Sequence, residues 1–207
     1  MFNNEDYSIL SGGYESQQTG CCTKIFNRGG NLQGGINKSE LDQVNYIEAA
    51  YIKNKPYVLL SGNYHAESYD YNNGSLTKYK AKDKDNKIYS SILNLFNKNN
   101  KTYLISGYSD GSVTIFDFEK KENNYIDSIK FGDTSINSLC SLNENYFLVG
   151  DNKEIKVIDF EKRDTKNSIK DLSDNTIQGI EKIKIPEKGE IIISYAPGRI
   201  TLWIKNN

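Results

Sequence analysis

The stretch "LISGYSDGSVTIFDF", residues Leu104 to Phe118, contains two runs of alternating apolar residues joined by Ser-Asp-Gly. Asp-Gly and Asn-Gly pairs accept the positive φ that tight hairpin turns require, so Asp110-Gly111 predicts a turn between two antiparallel strands. Asn73-Gly74 predicts a second turn of the same kind. The quoted stretch therefore predicts a β-hairpin, and its recurrence along the chain decides the fold.

Both arms of this hairpin recur along the chain. The first arm, an apolar run that ends in a small residue, recurs at intervals of 43 to 50 residues, at Ser11, Ser61, Ser106, Val149 and Ser194. The second arm recurs at Val113–Asp117, Ile155–Asp159 and Ile200–Ile204, with a weaker copy at Leu76–Lys80. Similar segments that begin at Ser128 and Ser168 add two more strands to each unit. Each unit therefore holds about four short strands.

Four strands in about 45 residues, with no helical periodicity, are typical of a β-propeller blade. The sequence predicts an all-β protein, a β-propeller of four-stranded antiparallel blades with about four and a half to five blades present. A blade buries its two faces by stacking between neighbours, so the alternating apolar residues are predicted to form the core between blades. The chain is interpreted as one domain of five units, at approximately 1–35, 36–84, 85–125, 126–165 and 166–207.

The units resemble the WD-repeat family. In the third unit, Ser106 lies late in the second strand, Asp110 lies in the following turn, and Phe116-Asp117 stands where the family has Trp-Asp. The corresponding pairs in the last two units are Ile158-Asp159 and Trp203-Ile204. The resemblance covers essentially the whole chain and implies a scaffold or adaptor that binds other proteins without catalysis.

The chain departs from the family at the Gly-His position. Gly132-Asp133 and Ser173-Asp174 stand there in two units, and the only histidine is His65, which we place in a loop. The resemblance implies a buried hydrogen-bond relay of Asp, His, Ser and Trp, and this relay cannot be complete in any blade. The repeats are therefore degenerate, and we expect packing to hold the blades together.

The number of units leaves the closure of the ring open. Propellers commonly contain four to eight blades, and closure protects the strand edges. The chain begins in what would be a second strand and ends after a third strand. It is therefore interpreted as the C-terminal part of a larger propeller, as a five-bladed ring with an incomplete first blade, or as an open propeller whose edge another chain completes.

Composition restricts the classes of partner. The chain has 26 Lys and Arg, 27 Asp and Glu and a formal net charge of -1, which gives no basic excess for nucleic acid. No signal peptide or long apolar run is evident, so we expect no membrane insertion. Cys21, Cys22 and Cys140 form no evident disulfide or metal pattern, which favours a reducing, cytoplasmic location.

No motif predicts catalysis, a metal or a cofactor. The glycine-rich segment Gly29–Gly35 lacks the Lys-Ser/Thr of a phosphate loop. Asp83–Lys87 lacks the turn glycine and final Glu of a calcium loop. A Ser-His-Asp site is possible only through His65. We therefore expect a protein that is not an enzyme.

Function is expected at the rim formed by the loops between second and third strands. Tyr and Arg are common at binding hot spots because they bury a large area and keep a polar group. The predicted partner-binding residues are Tyr14, Tyr64, His65, Tyr69, Tyr71, Tyr108, Tyr195 and Arg199. The alternative function is a structural subunit of a cytoskeletal or ciliary assembly, with its open propeller edge completed by another chain.

Overall fold

The computed structural model describes most of the chain. The described residues are 7–12, 23–27, 31–36, 41, 43–63, 65–82, 88–152, 154–170, 176–185 and 189–204. They form 18 strands in five antiparallel sheets, three with four strands and two with three. The predicted all-β propeller is confirmed. None of these residues belongs to a helix that is long and apolar enough to cross a membrane.

Each sheet is one blade, numbered in chain order. Blade 1 contains β1 (Tyr7–Gly12), β2 (Thr23–Asn27) and β3 (Leu32–Gly35). Blade 2 contains β4 (Val44–Ile52), β5 (Lys55–Gly62), β6 (His65–Asp70) and β7 (Ser75–Lys80). Blade 3 contains β8 (Ser90–Lys98), β9 (Lys101–Tyr108), β10 (Ser112–Asp117) and β11 (Tyr125–Lys130).

The last two blades follow the same order. Blade 4 contains β12 (Ser138–Ser141), β13 (Tyr146–Gly150), β14 (Glu154–Asp159) and β15 (Asp164–Lys170). Blade 5 contains β16 (Gly179–Ile185), β17 (Gly189–Ala196) and β18 (Arg199–Ile204). The boundaries of the sequence units at 125 and 165 fall within β11 and β15, because the fourth strand of each blade pairs with the third strand that precedes it.

The hairpin quoted first joins β9 to β10, with Ile105 opposite Ile115 and Gly107 opposite Val113. Asp110 shapes its turn, because the Oδ1 atom accepts hydrogen bonds from the Ser112 backbone N–H at 3.1 Å and the Ser112 hydroxyl at 2.6 Å. Gly111 has a φ of 81°. Asp110 and Gly111 thus both lie in this turn, and the Gly111 N–H donates to the Tyr108 carbonyl at 3.2 Å.

Substitution of Gly111 should destabilise the turn. At position 111 a Cβ atom would lie 2.4 Å from the carbonyl oxygen of Gly132, and the positive φ disfavours any L side chain. We expect Gly111→Ala to lower the free energy of unfolding by about 1–3 kcal/mol, measured by urea denaturation. Gly132→Ala is the matched control, since its Cβ would meet nothing within 4 Å. Equal losses in the two variants would contradict this account of the turn.

The sequence assignment of blade 2 is corrected in one respect. Leu76–Lys80 was predicted to be a third strand, but it lies in β7, the fourth strand, and the third strand is β6. Asn73-Gly74 does form a tight turn, with φ of 69° at Gly74, but this turn joins β6 to β7. The Asp70 carboxylate stabilises it by accepting hydrogen bonds from the Asn72 backbone at 3.0 Å and the Asn73 side chain at 3.1 Å.

Four apolar clusters lie between successive blades, as the alternating pattern predicts. The cluster between blades 3 and 4 is centred on Phe96, which stacks on Phe160 at 4.4 Å and meets the edge of Phe147 at 6.0 Å. The cluster between blades 4 and 5 joins Cys140 and Leu148 to residues of β16 to β18. Since each blade buries its apolar rows against a neighbour, burial between blades is the main source of stability.

Candidate functional site

Two of the predicted partner-binding residues are exposed on one hairpin of blade 5. Tyr195 is the penultimate residue of β17 and is 40% exposed, and the exposed Arg199 begins β18. Pro197 and Gly198 form the turn between them, and Gly198 has a φ of 75°. Tyr195 shares a face of this hairpin with Ile200, whereas Arg199 alternates with Ile200 and belongs to the opposite face. Tyr14 and Tyr64 lie outside the described residues.

Three other predicted tyrosines pack inside the protein. Tyr69 and Tyr71 are half-buried and contact the cluster between blades 1 and 2. Tyr108 is fully buried, and burial raises its pKa to about 12. The expectation that Tyr108 lies on an exposed rim is therefore wrong, because its side chain at the end of β9 turns into the blade.

His65 was expected in a loop and instead begins strand β6. Its Nε2 atom lies 3.0 Å from Glu67 Oε1, and both side chains are buried. The two residues are two positions apart in the strand and so share one face. The prediction that His65 is an exposed loop residue is therefore wrong. The contact with Glu67 offsets part of the cost of burying the two polar side chains.

The last blade presents an exposed apolar face, which we call the free face. It comprises Ile183, Tyr195, Ile200 and Leu202, which are 40%, 40%, 72% and 56% exposed. These four are the majority of the seven large exposed apolar side chains among the described residues. Apolar residues that are scattered singly are normal on protein surfaces, whereas these four share one face of one blade.

Strand register explains why this face is apolar. Ile115 pairs with Ile105 in blade 3, and Leu202 pairs with Ile193 in blade 5. Ile200 and Leu202 thus stand where blade 3 has Val113 and Ile115, which are fully buried against blade 4. The free face is built like a face between blades.

The opposite face of blade 5 is covered. Ile180, Ile192 and Trp203 pack against Cys140 and Leu148 of blade 4. Burial raises the pKa of the Cys140 thiol to about 11, so Cys140 is a packed apolar side chain. Among the described residues, blade 5 packs against a neighbouring blade through this face only.

The free face also has an open strand edge. Blades 2, 3 and 4 each have a fourth strand beside the third, and among the described residues no strand pairs with the outer edge of β18. An unpaired edge offers backbone N–H and C=O groups to another strand. In the described part of the chain, exposed apolar side chains and this strand edge thus lie on the same blade.

Tyr195 of β17 packs against the neighbouring strand β16. Its ring lies over Gly179, where a Cβ atom would come within 2.0 Å of it. Burial raises the pKa of Tyr46 in β4, and the charges of Glu48 and Glu181 and the nearby Tyr195 raise it further.

The carboxyl group of Glu48 should make stability depend on pH. Burial raises its pKa from 4.5, while a 3.1 Å hydrogen bond from Tyr46 opposes this shift. The folded state thus binds this proton more tightly than the unfolded state, so the free energy of unfolding falls as the pH rises from about 4.5 through the folded pKa. We expect Glu48→Gln to flatten this fall and to stabilise the protein at neutral pH.

Urea unfolding between pH 4 and pH 8 measures this effect. Glu122→Gln is the control, because Glu122 is exposed in the connection between β10 and β11. A wild-type slope in Glu48→Gln would contradict the assignment to Glu48.

Within the described ranges, no group of three or more His, Cys, Asp or Glu side chains could hold a metal ion. The free face offers apolar contact and backbone hydrogen bonds, which suit a protein ligand.

Sequence reasoning missed Ile183, Ile200 and Leu202. Their alternation is the same as in buried strands, so the pattern predicted core positions.

Comparisons with known proteins support the architecture. No family model matches the chain, and no curated protein matches it. Structural similarity extends to 871 chains of solved structures. One is a chain in a crystal structure of the mitotic checkpoint complex, with a TM-score of 0.63 and 13% identity over 78% of this chain and 46% of that chain. This chain thus spans less than half of that chain's length, and the likeness concerns the fold alone.

Proposed function

We propose that this protein is a non-catalytic scaffold of the WD-repeat type, which binds a partner protein on the free face of blade 5. The observation that carries the proposal is the exposure of Ile200 and Leu202 at positions whose equivalents in blade 3 are fully buried. Full burial of one such side chain in an interface contributes about 1.5–3 kcal/mol to the free energy of association. The antiparallel sheet presents them without ordering a loop, which limits the entropic cost of binding.

The partner surface is a β-sheet face of a separate protein chain. Each described face between blades pairs two sheets whose alternating apolar side chains interlock, as in the clusters of blades 3 and 4. The free face continues this series, and the open edge of β18 suits a partner strand that adds to the sheet. Tyr195 belongs to this surface and supplies a polar hydroxyl group.

The WD-repeat assignment has support in one hydrogen bond. Trp203 Nε1 donates to the Ser194 hydroxyl at 2.9 Å, which joins the Trp and Ser of the relay that the family resemblance implies. The histidine of that relay is absent from the sequence of this unit. A cytoplasmic location accords with the free, buried Cys140.

A permanent structural subunit is the second candidate, and the open edge of β18 favours it. The two candidate functions differ in whether the bound partner exchanges with added protein. A scaffold partner dissociates and is replaced when excess untagged chain is added, whereas a permanent neighbour remains bound.

The test compares partner recovery from source cells with tagged variants. We expect Ile200→Glu/Leu202→Glu to lower the recovered partner at least about tenfold, because charge on the free face opposes burial. Ile126→Glu is the matched control, since Ile126 is a similarly exposed apolar residue on β11. Equal recovery with the double variant and the control would overturn the proposal.

A further inference from the structure

A second potential binding site lies between blades 2 and 3, at the end of the propeller opposite the hairpin of Tyr195. It is a cavity of about 330 Å³, at the lower end of the range for ligand pockets. The walls include Tyr57, Tyr79 and Phe118, with Asp70 and Glu119 among the charged groups. We call it the aromatic pocket.

The aromatic walls are fixed by their contacts. Tyr79 stacks on Phe118 with ring centroids 5.9 Å apart, and Tyr57 meets the edge of Phe118 at 5.1 Å. The Tyr79 hydroxyl lies 3.1 Å from the Ser68 hydroxyl and donates to the Phe118 carbonyl at 3.2 Å. The pocket is therefore pre-formed.

The same arrangement occurs between blades 3 and 4, where the protein fills it with its own arginine. The segment Asp117-Phe118-Glu119-Lys120 recurs as Asp159-Phe160-Glu161-Lys162. There, the Arg163 guanidinium lies over the Phe160 ring, 4.2 Å from its centroid. Arg163 also donates to the Phe160 carbonyl, and its Nε atom lies 3.7 Å from Asp127.

The groups around Arg163 have counterparts in the aromatic pocket. Tyr57 stands where Tyr103 stands, since each is the third residue of the second strand of its blade. In both places the Glu of the repeated segment pairs with a lysine of the preceding blade, Glu119 with Lys53 and Glu161 with Lys98. Thr77 occupies the position of Asp127. Thr77 lies opposite Ser68, the fourth residue of β6, and Asp127 lies opposite Ile115, the fourth residue of β10.

The difference lies in the loop that would supply the arginine. Asn123 has a φ of 50° and precedes Asn124. The Asn124 carbonyl oxygen accepts a hydrogen bond from the Asp117 backbone N–H at 2.8 Å. Arg163 has a φ of 59° and precedes Asp164, which pairs with Asp159. The two positions correspond, although the loop of blade 3 is longer. The aromatic pocket therefore has the surroundings of the Arg163 side chain, but blade 3 has Asn123 at the position of Arg163 in blade 4.

We propose that the aromatic pocket binds an arginine side chain of a partner polypeptide. The guanidinium stacks on Phe118 as Arg163 does on Phe160. The carboxylate of Asp70, which also accepts the turn hydrogen bonds, and that of Glu119, which also pairs with Lys53, lie beside it. Lys55 and Lys121 are exposed at the same pocket, so an acidic residue next to the arginine is favoured. The sequence at Arg163, Glu-Lys-Arg-Asp, has this composition.

The test uses the full chain and the tetrapeptide acetyl-Glu-Lys-Arg-Asp-amide, with acetyl-Glu-Lys-Lys-Asp-amide as the control. NMR of labelled Phe and Tyr side chains measures binding. We expect saturable shifts centred on Phe118 and Tyr57, and a lysine peptide that binds at least about fivefold more weakly, because a planar guanidinium stacks better on a ring. Equal affinities of the two peptides would overturn the proposal.

Four variants at positions outside the core complete the test. Asn123→Arg should place an arginine of the chain itself in the pocket and weaken peptide binding about tenfold, while Lys120→Arg in the same loop should leave it unchanged. Thr77→Asp restores the counterpart of Asp127 and should tighten binding. Wild-type affinity in Asn123→Arg would contradict the site. The variant Ile200→Glu/Leu202→Glu should bind the peptide normally, which separates this proposal from the proposed function.

Discussion

Val113→Asp is expected to unfold the protein, whereas Ile200→Asp at the corresponding position of blade 5 is expected to leave it folded. Val113 is fully buried between blades 3 and 4, so an aspartate there would place a carboxylate among apolar side chains. This costs more than about 4 kcal/mol, a large part of the stability of a domain. Ile200 is 72% exposed, so its aspartate stays in water and costs within about 1 kcal/mol.

Urea unfolding followed by circular dichroism measures this pair of variants. The comparison is matched, because the two positions share strand number, register and an apolar residue type. A loss in Ile200→Asp as large as in Val113→Asp would show that part of the chain itself covers the free face. The free face would then be unavailable to a partner.

Phe96→Ala is expected to lower the free energy of unfolding by about 3–5 kcal/mol. Phe96 is fully buried and contacts Phe147 and Phe160 from blade 4, so its removal leaves a cavity between two blades. Thermal and urea unfolding measure the loss. Ile126→Ala, at an exposed position of β11, should change stability within about 1 kcal/mol. Similar losses in the two variants would contradict a core located between the blades.

The repeat predicted the architecture because blades are local in sequence. The hairpin at Leu104 to Phe118 carries its own turn chemistry in Asp110 and Gly111, and the recurrence of its arms gave the five sheets. Strand β6, with the sequence His-Ala-Glu-Ser-Tyr-Asp, was missed because its polar residues gave no apolar alternation. Its burial depends on contacts such as that between His65 and Glu67.

The functional surface was harder to predict for a physical reason. A strand that packs against another blade and a strand with an exposed apolar face have the same alternation of apolar residues. Val113 is fully buried and Ile200 is 72% exposed, although they occupy corresponding positions. The sequence predicted Tyr195 and Arg199 as partner-binding residues from their chemistry, and this remains a prediction. The aromatic pocket was not predicted, although the repeated Asp-Phe-Glu-Lys segment was a usable signal.

The most direct test of the central proposal is photo-crosslinking from position 202. A photoreactive residue replaces Leu202 in the complex isolated from source cells, and the same residue at position 126 serves as control. We predict adducts from position 202 to a β-strand of another protein, at residues of one sheet face that alternate along the strand. Adducts no more abundant than those from position 126, or adducts confined to the polypeptide that carries blade 5, would contradict a partner on the free face.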